Sequence, residues 1–515
     1  MDQSLRLSVS PDLVRVTHRR GTAVYHRTLG GLVVLDAAAE RVLDAFGAGA
    51  GVGEVVRAAA AQGRADPARC VRLVEQLALR GFLGEGGPPA APPPNRRVNV
   101  VQLVLVNGCN FGCTYCFEGI QGSDLTKATA KAATAPATAP KRQPTPVTIG
   151  SAPDPAGERV AVDLADPVYV SEERHRFQRD PHNRTMTPDA AVAYTRQALG
   201  VARSEGVGQV MVQFFGGEPL MNKPACLAVL NEVGSGAGEG VAVEYTVVTN
   251  GSLITDEIAE AFARHRVGVC VSFDAPKSGA RPLKNGRSSE ALVLAGLRRL
   301  REHGNRIAIN TALCSSTFDD VDESLVDFAV EMGVGEIGIV LDLDPGFYGE
   351  YGGDRIAARL MDLVGYGKEH GVVVTGYWHQ IFQLLAGFDV VADRGFKNCS
   401  AKGAQFSIEP NGEVFSCKAG SGHFGNIDKG RALLTTPGYE AHAALRFDNP
   451  EYCHGCAIEG FCGGLCLGPL EKQHLTIDAV EIPACDTYRT VTEQLIQQYE
   501  DIPALLLATS GTAGS

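Results

Sequence analysis

In this 515-residue chain, two groups of cysteines have the residue type and spacing that suit metal binding or catalysis. The first group, Cys109, Cys113 and Cys116, directly follows an apolar run. Three thiolates at this spacing can wrap one face of a [4Fe–4S] cluster and leave one iron open to chelate a small molecule. Structural zinc usually takes four ligands, and no fourth cysteine or histidine is close in the sequence. We therefore predict a cluster in preference to zinc or unligated thiols.

The second group has seven cysteines. Cys417 ends a Gx4C element that begins at Gly412, and Cys453, Cys456, Cys462 and Cys466 form a Cx2Cx5Cx3C core. Cys399 and Cys485 lie outside these two elements. The surrounding stretch is rich in glycine and has little periodicity, so we expect a poor hydrophobic core that metal ligation replaces. Disulfides rarely persist in the cytoplasm, which favours metal binding or catalysis for so dense a pattern. The remaining cysteines are expected to be buried as small hydrophobic residues: Cys70, Cys226, Cys270 and Cys314.

The elements that must position the first group alternate between strands and helices from Val98 to about Leu343. Thr187 followed by Pro188 is typical of an N-cap and the first residue of a helix, here one that runs to Ser204. Such alternation predicts a parallel sheet covered by helices. An α/β fold, a partial (β/α)6 barrel with its active site at the C-terminal ends of the strands, suits the six apolar runs: 98–106, 210–215, 244–248, 267–273, 307–312 and 337–341.

The cysteine triad, with Tyr115 before its last member, strongly resembles the cluster motif of the radical S-adenosylmethionine (SAM) superfamily. The resemblance implies a SAM site made of residues at strand ends: Gly216, Gly217, Glu218, Pro219, Ser272, Asp274 and Asn310. Glu218 belongs to the motif that binds the SAM amino group in that family. For the last three residues, an ordinary turn at a strand end is the alternative. The implied reaction passes an electron from the reduced cluster to SAM, and the 5′-deoxyadenosyl radical then abstracts hydrogen from a substrate.

The second cysteine group closely resembles the SPASM domain, an extension that binds two auxiliary clusters. The resemblance implies an outer cluster held by Cys453, Cys456, Cys462 and Cys485. It implies an inner cluster, nearer the substrate, held by Cys399, Cys417 and Cys466. Some relatives have a further cysteine between the first position and the Gx4C element, and this chain has none there. We therefore hypothesise that the inner cluster has an open iron or a ligand other than cysteine.

Residues 1–90 contain short β-like runs followed by helices. This pattern resembles the PqqD-like peptide-recognition element of ribosomal-peptide pathways and predicts a small α+β, winged-helix-like domain; a winged helix with another purpose is the alternative. A Gly- and Pro-rich linker follows. A partial barrel is expected over 98–118 and 187–345, interrupted at 119–186 by a low-complexity insertion that cannot fold alone. A linking helical region at 346–396, a SPASM domain at 397–490 and a disordered tail at 508–515 are expected to follow.

These resemblances imply a radical SAM peptide maturase that recognises the leader of a ribosomally made precursor peptide and oxidises the peptide to a thioether or a side-chain crosslink. The implied partners are that precursor and an electron donor such as flavodoxin or ferredoxin. Three alternatives stay open: modification like that of anaerobic sulfatase maturases, which carry Asp where this chain has Lys418; a small-molecule substrate; and a non-catalytic iron–sulfur electron carrier or scaffold.

The bulk composition limits the other function classes. A net charge of −12 argues against a nucleic-acid partner, which would need a basic surface. No apolar run is long enough for a membrane span, and the N-terminus lacks the layout of a signal peptide. We therefore expect a cytoplasmic protein.

Overall fold

The computed structural model describes most of the chain, in these ranges: 2–61, 66–84, 97–116, 185–276, 278–387, 399–420, 422–444, 453, 455–466, 468 and 480–507. The predicted insertion at 119–186 lies outside the described residues except for its last two positions. The predicted tail at 508–515 lies outside them entirely.

The N-terminal unit contains short strands and three helices: β1 Arg6–Val9, β2 Leu13–His18, β3 Gly21–His26, β4 Gly30–Leu35, α1 Ala37–Asp44, β5 Ala50–Gly51, α2 Val52–Ala61, α3 Pro67–Leu79 and β6 Leu83–Gly84. Strands β2, β3 and β4 form an antiparallel sheet, and β1 lies between β5 and β6. Asp36 begins α1 as predicted, because its carboxylate accepts the backbone N–H groups of Ala38 and Ala39. The helices pack on a hydrophobic core that is separate from the main core of the protein.

The central sheet has parallel strands that follow one another in chain order: β7 Val100–Val106, β8 Gln209–Gly216, β9 Ala242–Thr249, β10 Gly268–Ser272, β11 Ile307–Leu313, β12 Glu336–Leu341 and β13 Val373–Thr375. The helices between and after them bury apolar faces against the sheet: α4 Pro188–Ser204, α5 Lys223–Glu232, α6 Asp256–Arg264, α7 Glu290–Glu302, α8 Glu323–Met332, α9 Pro345–Tyr351, α10 Gly353–Glu369 and α11 Tyr377–Ala386. The prediction of an α/β fold with a parallel sheet is confirmed.

Local sequence explains why α4 has the bounds predicted for it. The Thr187 hydroxyl accepts the Ala190 backbone N–H, and Pro188 begins the helix with its ring already in helical φ. Strand β13 was not predicted, because its three residues are too short for a periodic pattern. It adds a parallel strand beyond β12, inside the stretch 346–396 that was expected to be helical.

The C-terminal part contains β14 Gln405–Ile408, β15 Glu413–Phe415, β16 His423–Asn426, a 3₁₀ helix Ile427–Thr435, α12 Pro437–Ala444, α13 Ile482–Gln498 and β17 Ala504–Leu505. Strand β14 pairs in parallel with β7, and β15 and β16 continue the same sheet. The expectation of a poor hydrophobic core here is wrong in part: Phe406, Ile408, Val414 and Phe424 are buried in the main core. All four residues of β14 are buried, so its sequence has no alternation to reveal it.

Among the described residues, every helix is too short or too polar to cross a lipid bilayer.

Candidate functional site

The three cysteines of the first group lie on a loop that leaves the C-terminal end of β7 and is fastened to a second loop. The backbone N–H of Gly112 donates to the Pro282 carbonyl (2.8 Å), and that of Thr114 donates to the Ala280 carbonyl (3.0 Å). The carbonyl of Asn110 accepts the Lys284 N–H (3.1 Å). Backbone hydrogen bonds to the second loop therefore hold the cysteine loop in a defined shape.

The three thiols lie close enough to influence one another's ionisation. Burial raises the pKa of Cys113 to about 11, and Cys116 and Cys109 add to that rise while Arg281 opposes it. Burial also raises the pKa of Cys109, with a contribution from Cys116. Bringing mutually repelling thiolates into one half-buried loop is unfavourable unless a cation binds them, and a coordinated thiol ionises outright. The donor set thus fits a metal cluster.

The Gly216–Gly217 pair holds the end of β8 against the cysteine loop. Gly216 has φ of 147°, and a Cβ there would overlap the Val106 carbonyl oxygen, so only glycine fits. The Gly217 N–H donates to that carbonyl (2.9 Å), and the Glu218 N–H donates to the Gly108 carbonyl (2.8 Å). The glycines therefore place the Glu218 backbone next to the residue that precedes Cys109.

The Glu218 carboxylate is 1% exposed and accepts three hydrogen bonds from the chain. Oε1 accepts the Leu220 N–H (3.0 Å) and the Thr249 hydroxyl (2.7 Å), and Oε2 accepts the Asn250 N–H (2.7 Å). Burial raises its pKa, and these bonds oppose the rise. A carboxylate has about four acceptor positions. One acceptor position on Oε2 thus remains for a cationic group. Pro219, the next residue, begins the short 3₁₀ helix that carries Leu220.

Ser272 and Asn310 are register partners on the adjacent parallel strands β10 and β11, so they lie side by side, Ser272 at the end of β10 and Asn310 at the middle of β11. Both are partly exposed. The structure therefore brings these two predicted residues together. Asp274, two residues after Ser272, is directed differently.

The Asp274 carboxylate is buried and faces the cysteine loop. The Tyr115 hydroxyl donates to this carboxylate and lies 2.7 and 2.6 Å from its two oxygens. Arg281 forms an ion pair with it at 3.2 Å, and the guanidinium lies over the Tyr115 ring, 5.3 Å from the ring centroid. The Ala312 N–H also donates to it (3.2 Å). Asp274 thus positions the aromatic residue that precedes Cys116.

Arg281 was not singled out from the sequence. Burial would lower its pKa, but Asp274, Tyr115 and Cys113 together raise it, so the guanidinium stays charged. Its position in a loop, without a motif around it, gave no signal. A basic residue a few positions after Ser-x-Asp is the only feature that could have drawn attention to it.

Three cysteines of the second group lie near Tyr377. Dense surrounding protein raises the pKa of Tyr377, and Cys399, Cys466 and Cys417 add to that rise. Tyr377 is therefore close to all three cysteines that the resemblance assigns to an inner cluster.

Two further cysteines of the second group, Cys456 and Cys462, lie near Cys485. Burial raises the pKa of this thiol to about 12, with contributions from Cys462 and Cys456, while Arg489 opposes the rise. Arg489 Nη1 lies 3.8 Å from the Cys456 sulfur. Cys453 belongs to the same part of the fold, because its carbonyl accepts the Cys456 N–H (2.9 Å).

A buried lysine lies near three cysteines of the second group. Lys402 donates from Nζ to the Gly463 carbonyl (2.8 Å). Burial lowers its pKa, and Cys399, Cys462 and Cys453 oppose that change. A cation at this position favours anionic groups near it.

Lys418, directly after Cys417, belongs to a buried polar network that reaches the first cysteine loop. Its Nζ donates to the Asn107 side-chain oxygen (2.6 Å) and lies 3.7 Å from Glu409 Oε1. The Asn107 amide donates to the other Glu409 oxygen (2.9 Å). The Lys418 N–H donates to Gln102 on β7 (3.0 Å). The two cysteine-bearing regions are therefore connected through hydrogen bonds as well as through the sheet.

Comparisons with known proteins agree with this arrangement. Over 406 residues the chain is 34% identical to the radical SAM cyclopropyl synthase TigE of Paramaledivibacter caminithermalis. The aligned region covers 79% of this chain and 75% of TigE. Over 139 residues the chain is 32% identical to the serine-type anaerobic sulfatase-maturating enzyme of Bacteroides thetaiotaomicron. This aligned region covers 26% of this chain and 33% of that enzyme.

A solved structure of anSMEcpe with bound AdoMet and Cp18Cys peptide matches 77% of this chain and 96% of its own, with a TM-score of 0.54 and 16% identity, and so shares the fold. The family model described as the Radical SAM superfamily matches residues 103–329, from β7 to α8. The chain is therefore an enzyme that belongs to the radical SAM superfamily, whose members use a [4Fe–4S] cluster and SAM.

Proposed function

We propose that this chain is a peptide maturase that oxidatively forms a bond within a ribosomally made precursor peptide. The observation that carries the proposal is the pairing of two features in one sheet: the Cys109–Cys116 loop at the end of β7, and the Cys399–Cys417 region around β14, its hydrogen-bonded neighbour. The hydrogen bond from buried Lys418 to Asn107 joins the two regions. The similarity to a cyclopropyl synthase supports bond formation in particular.

We assign the cluster that binds SAM to Cys109, Cys113 and Cys116. When bound, this cluster and SAM supply the 5′-deoxyadenosyl radical that abstracts hydrogen from the substrate. Glu218 would accept the amino group of SAM at the free position on Oε2, and Ser272 and Asn310 would border the same site. Asp274 and Arg281 would hold Tyr115, and through it the loop, in the shape that the cluster requires.

We assign the second cysteine group to two auxiliary clusters. Cys399, Cys417 and Cys466 would hold the inner one beside Tyr377, and the four cysteines Cys453, Cys456, Cys462 and Cys485 would hold the outer one. Hydrogen abstraction followed by bond formation releases a second electron, which the auxiliary centres would accept. Lys402, near Cys399, Cys453 and Cys462, would favour the reduced, more negative states of these centres by charge. An electron donor such as flavodoxin or ferredoxin would serve the first cluster.

We further propose that the N-terminal unit recognises the leader of the precursor. It has its own hydrophobic core and a small antiparallel sheet with helices on one side. Such a sheet can add an extended peptide as a further strand, which gives affinity through main-chain hydrogen bonds.

Iron content tests the cluster assignments directly. After anaerobic reconstitution, three [4Fe–4S] clusters would give about twelve irons per chain, and the Cys109/Cys113/Cys116→Ala variant would retain about eight. Cys70→Ala, in the N-terminal unit, is the matched control and should keep all of them. Zinc in place of iron, or no loss of iron in the triple variant, would contradict the assignments.

The reaction is tested with a candidate precursor peptide encoded beside the gene. Incubation with SAM and a reductant, without oxygen, should yield 5′-deoxyadenosine and a peptide that has lost two hydrogen atoms. Alkylation of free thiols then separates the candidate bonds, since a thioether consumes a cysteine and a carbon–carbon bond or cyclopropane ring does not. Deoxyadenosine without any change in the peptide would refute the maturase proposal.

Sulfatase maturation is the second candidate, favoured by the similarity to a sulfatase-maturating enzyme. It is less well supported, because the residue after Cys417 is Lys418, buried in a polar network with Glu409. Oxidation of a sulfatase-derived peptide, with no action on the precursor, would favour it.

A further inference from the structure

The turn between β3 and β4 rests on the stretch of chain that joins two cysteines of the second group. We call residues 456–462, from Cys456 to Cys462, the 456–462 segment. The Gly460 N–H donates to the Arg27 carbonyl (2.9 Å). A Cβ on Gly460 would lie 2.6 Å from the Thr28 Cα and carbonyl oxygen, so only glycine lets the two backbones approach this closely. The N-terminal unit therefore contacts the rest of the protein at a segment that has a cysteine at each end.

An ion pair and an apolar contact add to this interface. Arg27 Nε lies 3.2 Å from Glu459 Oε2, and the two side chains are only 19% and 20% exposed. The Gly455 N–H donates to the same Glu459 oxygen (3.0 Å). The Phe461 ring is buried against Gly30, where a Cβ would lie 3.0 Å from it. A largely buried ion pair is favourable only while its geometry is kept, so the interface depends on the shape of the 456–462 segment.

The second support of the N-terminal unit is α13, which carries another cysteine of the same group. Helix α13 packs against β2, and just beyond the helix the Tyr499 carbonyl oxygen lies 3.2 Å from His18 Nε2. Cys485 and Arg489 lie about one turn apart on α13. Arg489 Nη1 lies 3.8 Å from the Cys456 sulfur. The two supports of the N-terminal unit therefore meet at residues beside their cysteines.

A cluster held by Cys456, Cys462 and Cys485 would connect these two supports through metal–sulfur bonds. Ligation that fixes parts of the chain relative to one another contributes its binding free energy to folding. We propose that the outer auxiliary site has a structural function: its cluster joins α13 to the 456–462 segment and thereby holds the N-terminal unit in place. The proposal rests on the assignment of these cysteines to a cluster under the proposed function, and it adds to electron acceptance at that site.

This linkage acts in both directions, because the coupling free energy between two sites is reciprocal. Loss of the outer cluster should release the N-terminal unit, and a weaker contact at Arg27 should weaken the retention of the cluster. The N-terminal unit itself should stay folded in either case, since it has a hydrophobic core of its own.

Hydrogen exchange in the full chain, reconstituted without oxygen, tests the first direction. The reporter is the Val34 N–H on β4, which donates to the Pro503 carbonyl beyond α13 (2.8 Å). Cys485→Ala removes an outer ligand and should make exchange at Val34 about tenfold faster, with exchange in α3 unchanged. Cys417→Ala, which removes a ligand of the inner site, is the matched control and should leave exchange at Val34 as in the wild-type chain. Unchanged exchange in Cys485→Ala, or equal acceleration in both variants, would overturn the proposal.

Iron release tests the second direction and covers the case in which Cys485→Ala does not fold. In Arg27→Met, about four of the twelve irons should pass to bipyridyl about fivefold faster than in the wild-type chain. Arg6→Met, at a 67%-exposed arginine of the same unit, is the control and should release iron as the wild-type chain does. Equal release from Arg27→Met and the wild-type chain would overturn the proposal.

Iron counting separates a failure of this proposal from a failure of the proposed function. A wild-type chain that holds about twelve irons but shows neither effect would overturn the structural role alone. A wild-type chain that holds only about eight irons would overturn the cluster assignment and, with it, this role. Neither measurement uses SAM or a peptide.

Discussion

Replacing Arg281 by Met should destabilise the barrel more than an arginine-to-methionine change elsewhere on the same loop. The guanidinium forms an ion pair with the Asp274 carboxylate, which is 3% exposed. Removing one partner of a buried pair leaves the other charge uncompensated, at a cost of about 3–5 kcal/mol. Because the Arg281 side chain is itself 18% exposed, we expect the lower end, about 3 kcal/mol.

For a cooperative unit of the size of the barrel, this cost corresponds to a fall in Tm of about 6–12 °C. Thermal unfolding followed by circular dichroism measures it, with the exposed Arg287→Met as the control. The double variant Arg281→Met/Asp274→Asn removes the stranded charge and should recover a large part of the loss. Equal Tm values for Arg281→Met and Arg287→Met, or no recovery in the double variant, would refute the reasoning.

Three further perturbations test other parts of the structure. Glu218→Gln replaces an acceptor of three hydrogen bonds by an amide, and SAM binding measured by equilibrium dialysis should weaken about tenfold or more, equal to about 1.4 kcal/mol, with iron content retained. Lys418→Met leaves Glu409, which is fully buried, without its cation, and should lower Tm much more than a change at the 70%-exposed Lys368. Burial lowers the pKa of His379 from 6.5 to about 4, so the unfolded chain takes up this proton at higher pH than the folded chain does. Stability is therefore lost as pH falls through this window, and His379→Leu should show a smaller drop in Tm than the wild-type chain between about pH 7 and about pH 5; an identical drop would contradict this cause.

The local parts of the fold could be predicted because their signals are local. Helix α4 begins where Thr187 and Pro188 predict, and β8 extends the predicted run 210–215 by one residue at each end. The pairing of β14 with β7 could not be predicted, because neither strand carries information about a partner so far away in the chain. The same reason hid β17, whose two residues have no pattern of their own.

The candidate site divides in the same way. The glycines at 216 and 217 belong to a motif that can be recognised in the sequence. The close approach of β8 to Val106 requires glycine at position 216, so this contact leaves a signal in the sequence. Arg281 and the contact between Lys418 and Asn107 depend on loops meeting in three dimensions. The roles of the predicted cysteines and SAM-site residues stay predictions until the iron and SAM measurements are made.

The pairing between β7 and β14 has a consequence for how the protein must be made. During synthesis β7 emerges roughly 300 residues before the strand that covers its outer edge. Contacts between such distant segments form slowly, and an open strand edge invites association with other chains. The Cys109–Cys116 loop continues directly from β7, and the hydrogen bond from Lys418 to Asn107, just before this loop, forms only when the C-terminal part has been made. Rapid overexpression should therefore give aggregated, iron-poor protein, and slowing synthesis should raise the yield of folded chains that can be loaded with iron.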